Sequence, residues 1–177
     1  MRTLGAVLAG GRSSRFGSDK ALAGWRGRPL IDHVIDTLAA TVDAVVICGR
    51  SYRDLPALAD RPAPDLGPLA AINAALHCAG NAGFDRILTV PCDVPTIDRA
   101  LLDVLLMRDD AAFLADMPVV GIWPATLAAA LDAHLATDGT RSIRGWAAAI
   151  GATPIALVAA QLPPNINRPD DLAKLTD

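Results

Sequence analysis

Residues 8 to 20, Leu-Ala-Gly-Gly-Arg-Ser-Ser-Arg-Phe-Gly-Ser-Asp-Lys, carry an apolar run into a loop of glycine and cationic side chains. Gly10 and Gly11 lack a β-carbon, so the backbone can come close to a ligand and consecutive N–H groups can converge on phosphate oxygens. Arg12, Arg15 and Lys20 add positive charge to the same loop. The chain uses 14 arginines and two lysines, so keeping Lys20 here favours a compact point charge over a planar fork. Two common phosphate loops do not fit. Five residues separate Gly11 from Gly17 and Ala21 follows Lys20, against the Walker A spacing, and G-x-G-x-x-G is absent. The stretch reads as a phosphate loop of another kind, with a solvated turn that ends a strand as its structural alternative.

Asp93, in Thr-Val-Pro-Cys-Asp-Val-Pro (89 to 95), stands at the tip of an apolar run. A carboxylate at such a tip lies on the ligand side of a parallel sheet, where it could hold Mg²⁺ shared with substrate phosphates. Turn chemistry before x-Pro is the alternative. Asp65 precedes a helix start and offers an acceptor for the N–H donors of a base such as guanine, or a plain turn residue. Asn165 and Asn167 are two of only four asparagines, and on an extended segment both point to one side. Asn167 serves equally as a cap for the helix entered at Pro169. His33, His77 and His134 are scattered singly, which gives no histidine metal site and places them on helix faces.

Strands and helices must position these groups. The runs 5–10, 44–49 and 86–93 are continuously apolar, as strands buried on both faces are in a parallel sheet. Between them, apolar residues at Leu30, Ile31, Val34, Ile35 and Leu38 mark an amphipathic helix with Pro29 near its start. The stretch 67–80 repeats the pattern with Pro68 first and Gly80 last. A third helix follows Pro95 with Thr96 or Asp98 as cap. Apolar pieces at 111–115 and 119–123 come next, then helices within 124–139 and 142–151, a strand near 153–158 and a short helix from Arg168. Strand and helix alternation predicts an α/β fold, a three-layer α/β/α sandwich on a mostly parallel, Rossmann-like sheet, in one domain over 1–177.

At 177 residues, 52% hydrophobic and 20% charged, the chain can bury one full core. A net charge of −3 supplies no field for a nucleic acid, and the N-terminal apolar run is too short to span a membrane. Cys48, Cys78 and Cys92 form no C-x-x-C pair and read as buried free thiols, which predicts a cytoplasmic protein.

Taken in order, 8–22, 27–35, 65–72, 90–95 and 165–172 resemble the molybdenum cofactor guanylyltransferases over nearly the whole chain. The most specific parts are the loop from Leu8 to Lys20 and the Pro-Cys-Asp-x-Pro turn. The resemblance implies a nucleotide-diphospho-sugar transferase-like fold and Mg²⁺-dependent transfer of GMP from GTP to the terminal phosphate of Mo-molybdopterin, with release of pyrophosphate. It implies that Leu8, Ala9, Gly10, Gly11, Lys20, Asp65 and Asp93 bind GTP, that Asp93 holds Mg²⁺, and that Arg15, Lys20 and Asp93 are catalytic. Asn165 and Asn167 would meet the pterin. Implied partners are a molybdenum-insertion enzyme and molybdoenzyme chaperones. The chain departs from the family at Ile47, Ala71 and Met117 and is short between Ala111 and Pro118, which bears on base and acceptor recognition. A CTP-using cytidylyltransferase, a sugar-nucleotide transferase and a non-catalytic nucleotide or pterin-binding module are the competing readings. All require one spatial relation: Lys20 and Asp93 face each other across a triphosphate-sized gap at one sheet edge.

Overall fold

The computed structural model describes residues 1–10, 19–137, 141–157, 163–166, 169–172 and 175. Along the chain, β1 (Thr3–Leu8) is followed by a 3₁₀ turn at Lys20–Leu22. A small ribbon of β2 (Gly24–Trp25) and β3 (Arg28–Pro29) leads into α1 (Leu30–Ala39), β4 (Ala44–Cys48) and β5 (Ala57–Leu58). Then come α2 (Pro68–Asn81), β6 (Arg86–Pro91), α3 (Arg99–Leu106), β7 (Ala112–Leu114), β8 (Met117–Pro124), α4 (Ala128–Leu135), α5 (Ile143–Ala149), β9 (Thr153–Ile155) and α6 (Pro169–Leu172).

Seven strands form one sheet in the order β5-β4-β1-β6-β8-β7-β9, with β2 and β3 paired apart from it. β5, β4, β1 and β6 are mutually parallel, β8 runs against both β6 and β7, and β9 runs with β7. The expected α/β architecture with a mostly parallel sheet is therefore present, and the two apolar pieces after α3 form a hairpin within it.

The continuous apolarity of β1, β4 and β6 follows from helices on both faces. Leu4, Ala6, Leu8, Val46, Cys48 and Ile87 pack with α2, α4 and α5, whereas Val7, Val45, Ile47, Leu88 and Val90 pack with α1 and α3. Alternate residues of one strand thus enter different cores, and each fully buried Leu, Ile or Val contributes about 1.5–3 kcal/mol. Gly5 lets the turn between α1 and β4 lie close to the sheet, because a β-carbon there would stand 2.9 Å from Val42 Cγ2. The buried Thr89 hydroxyl donates to the Val119 carbonyl at 2.8 Å and accepts from Trp123 Nε1 at 3.1 Å, so its polar atom is satisfied inside the core.

Capping residues set several boundaries. Of the two expected caps for α3, Asp98 accepts from Ala100 N at 2.9 Å; Ser142 caps α5 through Gly145 N at 3.0 Å. α2 starts at Pro68 behind Gly67, whose φ of 75° no other residue type adopts readily, and runs one residue beyond Gly80. All three cysteines are free; Cys48 is buried as expected, but Cys78 and Cys92 are half-buried because Cys78 lies near the end of α2 and Cys92 borders a cleft. Among the described residues no helix is long and apolar enough to cross a membrane.

Candidate functional site

The carboxyl ends of β4, β1 and β6 lie side by side, since β1 pairs with both of its neighbours. Beyond β1 the ladder continues: Ala9 N donates to the Cys48 carbonyl at 2.9 Å and Cys92 N to the Leu8 carbonyl at 3.0 Å. The residues that follow these strands open onto a cleft of about 520 Å³. Its lining brings together Leu8, Ala9, Gly10, Lys20, Asp65 and Asp93, six of the residues singled out from the sequence. They are spread over more than 80 positions of chain, and the parallel order places them at one sheet edge.

Lys20 and Asp93 do not face each other across a gap. Lys20 Nζ donates to Asp93 Oδ2 at 2.6 Å, with side-chain exposures of 13% and 19%. Two opposite charges this far removed from water pair directly because an unpaired one would bear its desolvation cost alone. The other carboxylate oxygen, Asp93 Oδ1, is buried and has no hydrogen-bond partner among the described residues. The Asp93 carbonyl accepts from Ile166 N at 3.1 Å, so the segment that carries Asn165 is tied to this tip. Asn165 itself is exposed and does not line the cleft. Gly11, Arg12, Arg15 and Asn167 lie outside the described residues.

Three charged residues on the cleft had no place in the sequence expectation. Asp19 caps the 3₁₀ turn that carries Lys20, accepting from Ala21 N at 3.2 Å, and is gripped by both terminal nitrogens of Arg50. Those bonds hold the Asp19 carboxyl below its ordinary range. Asp60 lines the cleft beside Asp65, and its Oδ1 is buried without a partner among the described residues. Burial, with a smaller contribution from the Asp65 charge, raises the Asp60 carboxyl above its ordinary value. The rule that flagged Asp93, a charged group just past a strand tip, also applies to Arg50 after β4; Asp60 had no comparable signal.

The loop bearing Asp60 and Asp65 is fastened from below. Asn73, fully buried in α2, donates to the Arg61 carbonyl at 3.4 Å and to Asp132 Oδ1 at 2.7 Å, and His77 Nε2 meets Asp132 Oδ2 at 2.8 Å. His33, His77 and His134 stand on α1, α2 and α4, and among the described residues no group of three His, Cys or Asp side chains could hold a metal. Ile47 is fully buried with its N–H bonded to the Pro56 carbonyl at 2.9 Å, so neither its side chain nor its N–H serves the cleft. Cys92 borders the cleft as a neutral thiol, pushed up to about 12 by burial.

The arrangement suits an anionic ligand held between strand tips by a lysine, with an underused carboxylate oxygen beside it. Comparison with known proteins agrees. The MobA-like NTP transferase domain matches residues 5–151. The molybdenum cofactor guanylyltransferase of Rhizobium leguminosarum bv. trifolii is 37% identical over 187 residues, covering 96% of this chain and 90% of the relative. That of Rhodobacter capsulatus is 35% identical over 190 residues, covering 100% and 96%. The crystal structure of molybdopterin-guanine dinucleotide biosynthesis protein A from Archaeoglobus fulgidus shares the fold, with a TM-score of 0.76 at 22% identity over 97% of this chain and 95% of that one. The chain belongs to the MobA-like NTP transferase family of nucleotidyltransferases.

Proposed function

We propose that the protein transfers GMP from GTP to the terminal phosphate of Mo-molybdopterin, giving the guanine dinucleotide form of the cofactor and pyrophosphate. The observation that carries this reading is the Lys20–Asp93 contact inside a cleft large enough for a nucleotide, in a chain of this family. An oxygen of the acceptor phosphate attacks the α-phosphorus of GTP, the bond to the bridging α–β oxygen breaks, and pyrophosphate departs with the electron pair. The acceptor is already an anion, so charge neutralisation matters more than a general base.

Lys20 supplies a point charge to the nucleotide phosphates from a half-buried position where it is poorly screened. Gly10 leaves the backbone free to approach the same oxygens. Gly11, Arg12 and Arg15 belong to the segment that joins Gly10 to Asp19, both on the cleft, and Arg15 is assigned to the departing pyrophosphate. Leu8 and Ala9 border the nucleotide and Asp65 accepts from the guanine N–H donors. Asn165 and Asn167 are assigned to the pterin side. The Asp93 carboxylate fits Mg²⁺: its Oδ1 is a buried acceptor with no partner among the described residues, and Mg²⁺ binds through one or two carboxylates plus substrate phosphates. When bound, the ion would neutralise charge on the phosphate oxygens. One domain over 1–177, acting in the cytoplasm with a molybdenum-insertion enzyme and molybdoenzyme chaperones, completes the proposal.

Pyrophosphate release from GTP, CTP or UTP with Mo-molybdopterin and Mg²⁺ tests the reading. GTP is expected to be used, with turnover falling about 10²- to 10³-fold in Lys20→Ala and in Asp93→Ala. A preference for CTP or UTP, nucleotide binding without release, or normal rates in both variants would overturn it.

A further inference from the structure

Lys20 is a long side chain on a single 3₁₀ turn, and its ammonium is held against Asp93. A lysine has much rotamer entropy to lose, so a fixed ammonium demands a fixed backbone beneath it. Asp19 fixes that turn by accepting from Ala21 N, and Arg50 Nη1 donates to the same oxygen, Asp19 Oδ1, at 2.8 Å while Nη2 holds Oδ2. Two parallel N–H donors set the plane of the carboxylate as well as its position. Asp19 and Arg50 are 38% and 25% exposed, so the pair acts by geometry more than by charge.

Arg50 is itself anchored at both sides. The preceding Gly49 has φ 89°, and a β-carbon on it would stand 2.4 Å from Gly10 Cα, so the chain turns sharply against the tip of β1. Just beyond, Tyr52 Oη donates to Asp32 Oδ1 at 2.8 Å and Arg53 Nη2 to Asp32 Oδ2 at 2.5 Å, with the Asp32 side chain only 5% exposed on α1. The segment 49–53 is therefore a brace between the sheet edge and α1, with its guanidinium held against the Lys20 turn.

We propose that Arg50 is a positioning residue: by gripping Asp19 it locks the turn that presents Lys20 to Asp93, lacing together the tips of β4, β1 and β6 on which the nucleotide site stands. The inference rests on the assignment of Lys20 to the phosphates. It predicts that Asp19 and Arg50 act as one unit, that the charge of Arg50 without its fork is insufficient, and that the loss appears in turnover more than in GTP affinity.

The chain has two lysines, so protein labelled with ¹³C at lysine Cε gives two signals, Lys20 and Lys174. In the wild type the Lys20 signal is expected away from the position of free lysine. In Asp19→Asn and in Arg50→Gln it moves toward that position while the unfolding midpoint holds; Arg50→Lys gives the same shift and serves if the Gln variant fails to fold. Each variant is expected to lower kcat about 10- to 100-fold, as small misplacements do. KM for GTP stays within about threefold, and the double variant is no slower than the worse single one. A Lys20 signal unmoved in all three variants would overturn the proposal. So would a tenfold or greater rise in KM for GTP in Arg50→Gln with none in Asp19→Asn, which would make Arg50 a direct phosphate ligand. If the wild type does not turn over GTP, the functional reading fails and the lysine spectra alone decide the link between Arg50 and Lys20.

Discussion

Asp60 shows how a site residue can work against the fold that holds it. Its carboxyl is raised from 3.8 because burial disfavours the charged form, and Asp65 nearby adds to the effect. A raised carboxyl contributes stability that is complete below its unfolded value and is lost as pH rises through its folded value. Replacing Asp60 with Asn should therefore raise the denaturation midpoint at pH 7, and the gain should shrink as the pH falls toward 4. Urea titrations of both proteins at the two pH values check this; a variant less stable than the wild type by the same amount at both would refute it. Such strain is common where binding sets the residue type. That Lys20, Asp65 and Asp93 meet on one cleft was legible because each lies between a strand and the helix that follows it. The Asp19–Arg50 pair was not, because its partners are 31 positions apart and nothing local in either stretch announces the other.

At the scale of elements, long apolar runs and helix starts were the most readable features. β4 and β6 fall inside the apolar runs read from the sequence, β1 begins two residues before its run, and Pro68, Asp98 and Ser142 mark real helix starts. The two-residue strands β2, β3 and β5 were missed, since two residues cannot display a period. The direction of β8 was also unreadable: apolar pieces on either side of Ala115 and Asp116 give a pair of strands, but only the tight turn at Leu114–Met117 makes them antiparallel. Just past the tips of β4 and β1, Gly49 lies close against Gly10. A β-carbon at Gly49 would meet Gly10 Cα at 2.4 Å and N at 2.6 Å, in a backbone region that side chains rarely adopt. Gly49→Ala is expected to cost about 3 kcal/mol or more from strain and overlap. For a chain of this length that lowers the melting temperature by about 6–12 °C, measurable by calorimetry; a variant that melts with the wild type would show the contact to be easily relaxed.

For the whole molecule, the site exists because parallel strands end together. Helices on both faces leave the carboxyl edge as the place where loops from β1, β4 and β6 meet. The fold and the gathering of these residues on one cleft were thus readable by the same rule, although the direct Lys20–Asp93 contact was not, because an ion pair depends on side-chain reach that strand order does not specify. The central claim is that Asp93, partnered by Lys20 on one oxygen and by none of the described residues on the other, holds Mg²⁺ for the nucleotide phosphates. Calorimetric titration of GTP into the wild type and Asp93→Asn, each with and without Mg²⁺, tests it most directly. Mg²⁺ is expected to tighten GTP binding about tenfold or more in the wild type and to have little effect in the variant. Equal Mg²⁺ enhancement in both proteins would contradict the account.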